Sequence, residues 1–210
     1  MMEREKEARA YIEEKGGARA IHSLSELSER LKEENQRQNL VAKGSLDHIW
    51  VRHFADSAQL LDHVPRETKG PWLDLGSGAG FPGLVLAILR PEIEFVLIES
   101  RRLRVEWLER MSSELGLENC RIEGCRLEQV TTVEAGIISA RAFAPLAKLL
   151  RLSARFSTDD TRWVLPKGRS AAHEVQELPG RESKMFHVEQ SLTDREAGIV
   201  VGRGKVREKA

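Results

Sequence analysis

The sequence predicts an α/β fold with a mostly parallel, doubly wound sheet, a helical segment before it and an antiparallel hairpin at its end. Three observations support this fold class. Short apolar runs alternate with amphipathic stretches from residue 71 onward, a glycine-rich turn follows the first run, and apolar residues recur at helical spacing before residue 65. Alternating strands and helices are typical of parallel strands joined by crossover helices.

Residues 1–68 are predicted to form an N-terminal helical extension, because apolar side chains recur there at steps of three and four residues. The clearest of these positions are Leu24, Leu27 and Leu31. The stretch 64–70 is polar and contains a proline and a glycine, which is typical of a linker. Residues 69–210 are the predicted α/β domain, and we expect the two segments to pack as one unit.

Four short apolar runs are predicted to be strands of the parallel sheet: residues 72–75, 95–98, 136–138 and 163–165. A helix is predicted over residues 103–115, and Gly116 stands where a helix commonly ends. Two further apolar runs, at 185–188 and 199–201, have no convincing helix between them. They predict an antiparallel hairpin at the edge of the sheet.

The composition of the chain argues against several classes of protein and of binding site. Lys+Arg and Asp+Glu both number 33, so the zero net charge argues against a basic field around the whole molecule, although it is compatible with a local basic face. No apolar run approaches the roughly 20 residues that span a bilayer, and the charged start lacks a signal-peptide core. We therefore expect a cytoplasmic protein with no membrane role. Two cysteines without a CxxC pair exclude a disulfide scaffold and a four-ligand zinc site, and no metal is predicted.

The densest signal is the segment DLGSGAGFPG at residues 74–83, directly after the first apolar run. Glycines allow a tight turn and a close approach of a ligand to the backbone. Pro82 stands where a helix would begin, and in a doubly wound fold ligands bind at this end of the strand. The turn residues assigned to cofactor binding are Asp74, Gly76, Ser77, Gly78 and Gly80.

Two cofactor classes are compatible with this turn. As Gly78-x-Gly80-x-x-Gly83 it matches the dinucleotide fingerprint, in which a pyrophosphate sits on the helix N-terminus. As Asp74-x-Gly76-x-Gly78-x-Gly80 it resembles the first motif of the Rossmann-like methyltransferases, whose loop packs against the methionine and ribose of S-adenosylmethionine. The aspartate favours the methyltransferase, because dinucleotide enzymes usually have a small or apolar residue there.

Glu99 ends the second apolar run, where a carboxylate can accept hydrogen bonds from both ribose hydroxyls in either cofactor class. A nicotinamide enzyme also needs a substrate domain, for which almost nothing follows the sixth predicted strand. We therefore predict S-adenosylmethionine as the cofactor and keep an NAD-dependent oxidoreductase as an alternative.

Several motifs, in addition to the start of this loop, resemble those of the bacterial small-subunit rRNA methyltransferase G family, also called glucose-inhibited division protein B. The motifs that carry the resemblance are separated along the chain. They are Asn39-Leu40, Arg52-His53-Phe54-Ala55-Asp56-Ser57, Gly80-Phe81-Pro82-Gly83 at the end of the loop, Ser139-Ala140-Arg141-Ala142-Phe143-Ala144, and Lys167-Gly168.

The resemblance implies a Rossmann-like S-adenosylmethionine methyltransferase that acts on N7 of a guanosine in the decoding-region loop of 16S rRNA. The small ribosomal subunit is then the expected partner. The family's cofactor-contact positions fall on Gly76, Phe81, Leu127, Glu128 and Arg141. One departure is the CRLE segment at residues 125–128, where the family usually has Gly-Arg-Ala-Glu. A leucine there replaces the alanine beside the adenine.

N7 of guanine carries a lone pair and no proton, so its methylation needs no general base. The protein has to align N7, the methyl carbon and the sulfonium sulfur, and positioning of this kind lowers a barrier by about 7–11 kcal/mol. We therefore predict no indispensable acid–base residue. Arg141, at the ligand-facing end of the predicted strand at 136–138, and Lys167, after the predicted strand at 163–165, are the predicted positioning residues.

Several polar residues are candidates for RNA contact: Asn39, Arg52, His53, Asp56, Lys167 and Arg169. Lys167 and Arg169 would reach phosphate, although a solvated loop explains them nearly as well. His53 and Asp56, three residues apart on a presumed helix, could hydrogen-bond. Packing of the N-terminal helices onto the domain explains this pair about as well as contact with RNA or cofactor does.

Two further alternatives remain at this point. A small-molecule methyltransferase would use the N-terminal helices as a lid, and the zero net charge mildly favours it. A non-catalytic rRNA-binding protein would keep a vestigial nucleotide loop. We expect a monomer without a protein partner.

Overall fold

The computed structural model describes residues 4–207, and the outermost residues of both predicted segments lie outside that range. The strands are β1 Trp72–Leu75, β2 Phe95–Ile98, β3 Cys120–Glu123, β4 Ile137–Ser139, β5 Arg162–Lys167, β6 Phe186–Gln190 and β7 Gly198–Arg203. They form one sheet in the order β3-β2-β1-β4-β5-β7-β6. Strands β1 to β5 pair in parallel, and β7 pairs antiparallel with β5 and β6. The predicted sheet with its C-terminal hairpin is confirmed.

The α-helices are α1 Glu5–Glu34, α2 Asp56–Ala58, α3 Gly83–Leu89, α4 Arg102–Glu114, α5 Leu146–Ser153, α6 Ala171–Gln176 and α7 Gly180–Ser183. An irregular helical segment joins α1 to the sheet. It consists of a 3-10 helix at Lys43–His48, a π-helix at Trp50–Ala55, α2, and a second 3-10 helix at Gln59–His63. No helix in the described part of the chain combines the length and the apolar character needed to cross a membrane.

The central strands are covered on both faces, which explains why they are continuous apolar runs in the sequence. Trp72 and Phe95 are fully buried on one face, in the same cluster as α1 and α3. Leu73 and Val96 are buried on the other face, against α5 and α6. The predicted bounds of β1 and β2 agree with the structure.

Strand β3 lies at the edge of the sheet and was not among the predicted apolar runs. Its sequence, CRIE, is only partly buried along its length. The sequence pattern of an edge strand is weak because half of its side chains remain in contact with water. The strand was therefore not predicted from the sequence.

Helix α1 packs against α3 and against the π-helix at Trp50–Ala55. Leu24 and Leu27 are fully buried in the same cluster as Trp72. The carboxylate of Glu5 accepts hydrogen bonds from the backbone N–H groups of Trp50 and Val51 at 3.1 and 3.0 Å. These contacts join the start of the described chain to the segment that approaches the carboxyl edge of the sheet.

Candidate functional site

The turn after β1 uses left-handed backbone conformations, which favour glycine. Gly76, Gly78 and Gly80 have φ values of 69°, 59° and 99°. A Cβ added to Gly76 would lie 2.5 Å from the ring of Phe143. Position 76 therefore needs glycine for two reasons: its backbone conformation and its contact with this ring.

Asp74 lies beneath the turn and is fully buried. One carboxylate oxygen accepts a hydrogen bond from Ser139 Oγ at 2.8 Å, and the other accepts one from the backbone N–H of Gly83 at 3.1 Å. Ser77, also buried, donates its hydroxyl to the Asp74 carbonyl. Burial raises the pKa of Asp74 to about 6, although the hydrogen bonds from Ser139, Ser77 and Gly83 act in the opposite direction. Asp74 thus links β1 to β4 and to the start of α3.

A small cleft of about 200 Å³ lies between the glycine turn and the end of β2. Three of the predicted cofactor residues line it: Gly76, Glu99 and Leu127. Its wall also includes Ala142 and Phe143. Leu127 is buried, whereas Glu128 is exposed and lies outside the lining of this cleft among the described residues.

The Glu99 carboxylate at this cleft is held by backbone groups on both oxygens. Oε1 accepts hydrogen bonds from the N–H groups of Ser100 and Arg101 at 2.7 and 2.8 Å. Oε2 accepts one from the N–H of Gly78 at 3.1 Å. A carboxylate has roughly four acceptor positions, so one position on Oε2, which also faces the Arg104 guanidinium at 3.9 Å, is left for the hydroxyl of a ligand.

A large cleft of about 970 Å³ lies between the N-terminal segment and the carboxyl ends of β4 and β5. Five of the predicted residues line it: Arg52, His53, Asp56, Arg141 and Lys167. Ala142 and Phe143 belong to the walls of both clefts. Within residues 4–207, no group of three or more His, Cys, Asp or Glu side chains could hold a metal ion.

Asn39 and Arg169 are predicted RNA-contact residues that lie outside the lining of the large cleft in the described chain. Asn39 is exposed on the connection between α1 and the first 3-10 helix. The side chain of Arg169 is exposed and paired with Glu196. Both therefore lie on the surface, outside the cleft that the other predicted RNA-contact residues line.

Arg141, for which the family resemblance implies a cofactor contact, lines the large cleft and not the small one, and it is the centre of a polar cluster there. Its Nη1 lies 3.2 Å from Nδ1 of His53 and 3.4 Å from Oδ2 of Asp56. The guanidinium lies over the ring of Phe81 at 5.1 Å, and His53 stacks on the same ring at 4.8 Å. Phe81, predicted as a cofactor residue, is thus buried beneath the polar cluster.

The anticipated hydrogen bond between His53 and Asp56 is not formed; each side chain contacts Arg141 instead. The physical reason is local: His53 belongs to a π-helical turn, whose i→i+5 bonds change the spacing of side chains. Burial, together with the nearby charges of Arg141 and Arg52, lowers the pKa of His53 to about 3. The ring is therefore neutral at physiological pH.

Two residues that the sequence analysis missed fix Asp56. Its Oδ1 accepts hydrogen bonds from Thr193 Oγ1 at 2.7 Å and from Gln59 Nε2 at 2.9 Å. The Gln59 side-chain oxygen in turn accepts the N–H of Leu192 at 2.7 Å. Gln59 and Thr193 are ordinary polar residues far apart in the chain, and no motif marks them. They connect the N-terminal segment to the loop between β6 and β7.

Lys167 is anchored inside the opposite wall of the large cleft. Its Nζ donates to the Ala144 carbonyl at 2.8 Å and to Glu174 Oε2 at 2.9 Å. Glu174, which the sequence did not single out, also accepts the N–H of Leu146 at the start of α5. Burial alone raises the pKa of Glu174, but the hydrogen bonds from Lys167, Ser170 and Leu146 lower it below its ordinary value.

Comparison with known proteins identifies relatives over nearly the whole chain. A protein from Erythrobacter litoralis named ribosomal RNA small subunit methyltransferase G is 61% identical over 207 residues, which cover 99% of this chain and 100% of that protein. A protein of the same name from Novosphingobium aromaticivorans is 58% identical over 186 residues, which cover 88% of this chain and 80% of that protein.

A solved structure supports the same fold. A mutant of MtNAS in complex with S-adenosylmethionine is similar with a TM-score of 0.55 at 14% sequence identity, over 83% of this chain and 72% of that one. The family model described as rRNA small subunit methyltransferase G matches residues 20–198, which include strands β1 to β6 and much of α1. This chain belongs to the rRNA small subunit methyltransferase G family.

Proposed function

We propose that this protein transfers a methyl group from S-adenosylmethionine to N7 of a guanosine in the decoding-region loop of 16S rRNA. One observation carries the proposal: two clefts at the carboxyl edge of the sheet share the wall formed by Ala142 and Phe143. The residues of the small cleft suit the ribose and adenine of the methyl donor, and the large cleft suits a nucleotide. Membership of the rRNA small subunit methyltransferase G family supports rRNA as the acceptor.

The residues of the small cleft fit S-adenosylmethionine. Glu99 offers an acceptor position to a ribose hydroxyl, and Leu127 and Phe143 offer apolar surface to an adenine. When bound, this cofactor supplies a methyl group activated by a sulfonium. Glu99 is oriented in advance by three backbone N–H groups, so binding needs no rearrangement of the carboxylate. We assign Asp74 an indirect role, because it holds the turn from below.

The large cleft fits a nucleotide. Its volume of about 970 Å³ lies near the upper end of the range for small-molecule sites, about 300–1,000 Å³. Arg52 is exposed in its lining and is the residue we assign to a phosphate. Both ring nitrogens of His53 are engaged, with Arg141 and Ser45. Methyl transfer to N7 needs no general base. A histidine whose two ring nitrogens are both hydrogen-bonded is therefore compatible with this reaction.

We propose that the N-terminal extension, residues 1–68, and the domain at residues 69–210 work as one unit. The large cleft takes one wall from the extension, including Val41, Ser45 and Arg52, and the opposite wall from Pro166 and Lys167 at the end of β5. A lid that opens freely would separate these walls. The hydrogen bonds of Gln59 with the loop between β6 and β7 oppose such a separation.

The small ribosomal subunit is the proposed partner, which implies a cytoplasmic location. We also propose a monomer. The exposed large apolar side chains among residues 4–207 are Leu103, Val188 and Leu192. Stable homodimer interfaces bury a broad apolar area, and three such side chains are too few to form one.

The test is methyl transfer from tritiated S-adenosylmethionine to 30S particles isolated from a strain that lacks the gene. We expect label in 16S rRNA, and we expect borohydride–aniline cleavage followed by primer extension to map it to one guanosine in the decoding-region loop. Particles from the parent strain are the control, and they should accept little label because their site is already methylated.

Three outcomes would contradict the proposal. Label at a position resistant to borohydride–aniline cleavage would exclude N7. Transfer to a small molecule in a cell extract, with none to 30S particles, would favour the small-molecule methyltransferase. Binding of S-adenosylmethionine without transfer to any RNA would favour a non-catalytic rRNA-binding protein.

A further inference from the structure

A chain of hydrogen bonds leads from Arg141 into the N-terminal segment. Nη1 of Arg141 lies 3.2 Å from Nδ1 of His53, and Nε2 of His53 lies 2.8 Å from Ser45 Oγ. Ser45 Oγ also lies 2.7 Å from the carbonyl oxygen of Ala42. The chain ends in a guanidinium, which can only donate, and in a carbonyl, which can only accept.

The two ends fix the direction of every hydrogen bond between them. Nδ1 of His53 has to accept from Arg141, so in a neutral ring the proton is on Nε2. Nε2 then donates to Ser45 Oγ, and Ser45 donates its own proton to Ala42. The other neutral tautomer would place the Nδ1 proton against a guanidinium proton of Arg141, and an imidazolium would do the same with an added charge.

The surroundings of His53 favour the neutral ring. The residue is 8% exposed, and its ring is stacked on Phe81 with an angle of 10° between the ring planes. The cations of Arg141 and Arg52 act on it electrostatically, and the Asp56 carboxylate is paired with the same Nη1 of Arg141 that faces His53. Burial and these two cations lower the pKa of His53 to about 3.

Asp56 holds the guanidinium from a second direction. Its Oδ1 is occupied by the donors Thr193 and Gln59 at 2.7 and 2.9 Å, which leaves Oδ2 facing Nη1 of Arg141 at 3.4 Å. Arg141 is thus held by a neutral acceptor, by a carboxylate and by an aromatic ring below it. All three come from outside β4 and the loop after it that carries Arg141.

We propose that His53 and Asp56 are positioning residues for Arg141, and that Ser45 sets the Nε2–H tautomer with which His53 accepts from the guanidinium. This assignment replaces contact with RNA as the role of His53 and Asp56. It makes the N-terminal segment part of the catalytic site through Arg141, which faces the large cleft. The proposal rests on the proposed function for the reaction that Arg141 serves, while the tautomer follows from the geometry alone.

The first test is spectroscopic and needs no substrate. Long-range ¹H–¹⁵N correlation of the full chain, labelled at its histidine ring nitrogens, reports which nitrogen carries the proton. The His53→Asn spectrum identifies the signal of His53 by its absence. We expect His53 to be the Nε2–H tautomer throughout the range from about pH 5 to about pH 8. An Nδ1–H tautomer or an imidazolium in this range would overturn the proposal.

The Ser45→Ala variant tests what sets the tautomer. Without the acceptor at Oγ, we expect the Nε2 proton of His53 to lose its hydrogen bond and the signal of Nε2 to shift, with a detectable population of the Nδ1–H form. An unchanged spectrum would show that Ser45 does not set the tautomer. This variant also keeps the proposal testable if substitutions at position 53 prevent folding.

The second test separates positioning from a structural role. His53→Phe keeps a ring on Phe81 but removes the acceptor, and His53→Asn returns an amide oxygen near the place of Nδ1. We expect His53→Phe to lower kcat for methylation of 30S particles at least tenfold, and His53→Asn to recover most of that loss. The affinity for S-adenosylhomocysteine should stay within twofold in both, because Arg141 lines the large cleft and not the small one.

His173→Asn is the matched control, since the side chain of His173 is 72% exposed on α6. It should match the wild-type protein in all measurements. Equal losses of kcat in His53→Phe and His53→Asn, in proportion to lost thermal stability, would show that His53 is merely structural. A wild-type protein with the Nε2–H tautomer but no transfer to 30S particles would refute the proposed function and leave the placement of Arg141 intact.

Discussion

At the scale of single residues, Glu99 carries the most specific prediction about the cofactor. In Glu99→Gln, the new NH₂ group has to face either the Gly78 N–H or the N–H groups of Ser100 and Arg101, all of which are donors. A charged hydrogen bond is lost as well, which is worth about 1.5–3 kcal/mol. We expect the affinity for S-adenosylmethionine, measured by calorimetry on folded protein, to fall about 10- to 100-fold.

Glu118→Gln is the control for that measurement, because Glu118 is exposed on the connection before β3. It removes one negative charge from the same domain and should leave the affinity unchanged. Wild-type affinity in Glu99→Gln would mean that the carboxylate only shapes the backbone around it.

Asp74 gives a prediction about pH. Its pKa in the folded protein is about 6, against an ordinary value of 3.8. Since protonation favours the folded state, the stability contributed by this group is complete below about pH 4 and is lost as the pH rises through about 6. The wild-type protein should lose on the order of 3 kcal/mol relative to Asp74→Asn over this range.

Urea unfolding of both proteins, at steps between about pH 4 and about pH 8, measures this difference. The free energy of unfolding of Asp74→Asn minus that of the wild type should grow as the pH rises. The absolute difference also includes the altered hydrogen bonds to Ser139 and Gly83, so its pH dependence is the diagnostic quantity. A difference that is the same at every pH would contradict the raised pKa.

At the scale of elements, the glycine turn gives a prediction about what an added side chain at position 76 would do. Gly76→Ala puts a Cβ 2.5 Å from the Phe143 ring at a φ of 69°, and the left-handed conformation alone costs about 1–2 kcal/mol for a residue with a side chain. We expect lower thermal stability and at least tenfold weaker binding of S-adenosylmethionine.

In a Phe143→Ala background, Gly76→Ala should cost less thermal stability than it does in the wild-type protein, because the clash is absent and only the backbone strain remains. Gly44→Ala is the control, since no atom lies within 4 Å of the added Cβ there. If Gly76→Ala costs the same thermal stability with and without the Phe143 ring, contact with Phe143 is not what restricts position 76.

Some of the helices and strands were predicted from the sequence and others were not. Strands β1 and β2 were predicted with their bounds because both faces are buried, which makes the apolar run continuous. The hairpin of β6 and β7 was predicted from two apolar runs without a helix between them. Strand β3 and the π-helix at Trp50–Ala55 were not predicted, because an edge strand is half polar and a π-turn has no spacing that distinguishes it from an α-helix.

The residues of the candidate site also include some that were predicted from the sequence and some that were not. Gly76, Glu99 and Arg141 were found because each follows a recognisable strand, and the ends of parallel strands meet at one edge of the sheet. Gln59 and Thr193 were not found. Their contact depends on how the N-terminal segment meets the loop between β6 and β7, and no local pattern encodes a pairing 134 residues apart.

At the scale of the whole molecule, one apolar cluster joins α1 to the sheet, since Leu24 and Leu27 are buried in the same cluster as Trp72 and Phe95. Because α1 is kinked at Gly17, we expect the amides of its second half, residues 24–31, to exchange hydrogen only on global unfolding. Native-state exchange in low urea should give them the same free energy as the amides of β1, within about 1 kcal/mol. A value several kcal/mol lower would mean that residues 1–68 unfold on their own.

The wall shared by the two clefts has a consequence for inhibitor design. A bisubstrate compound that tethers an adenosine to a guanine has to route its linker past the Phe143 ring, next to a backbone that is already left-handed at Ala142, where φ is 54°. In a series of such compounds, the optimal tether should be shorter for Phe143→Ala than for the wild-type protein. The Phe143 ring therefore determines the tether length that gives the tightest binding.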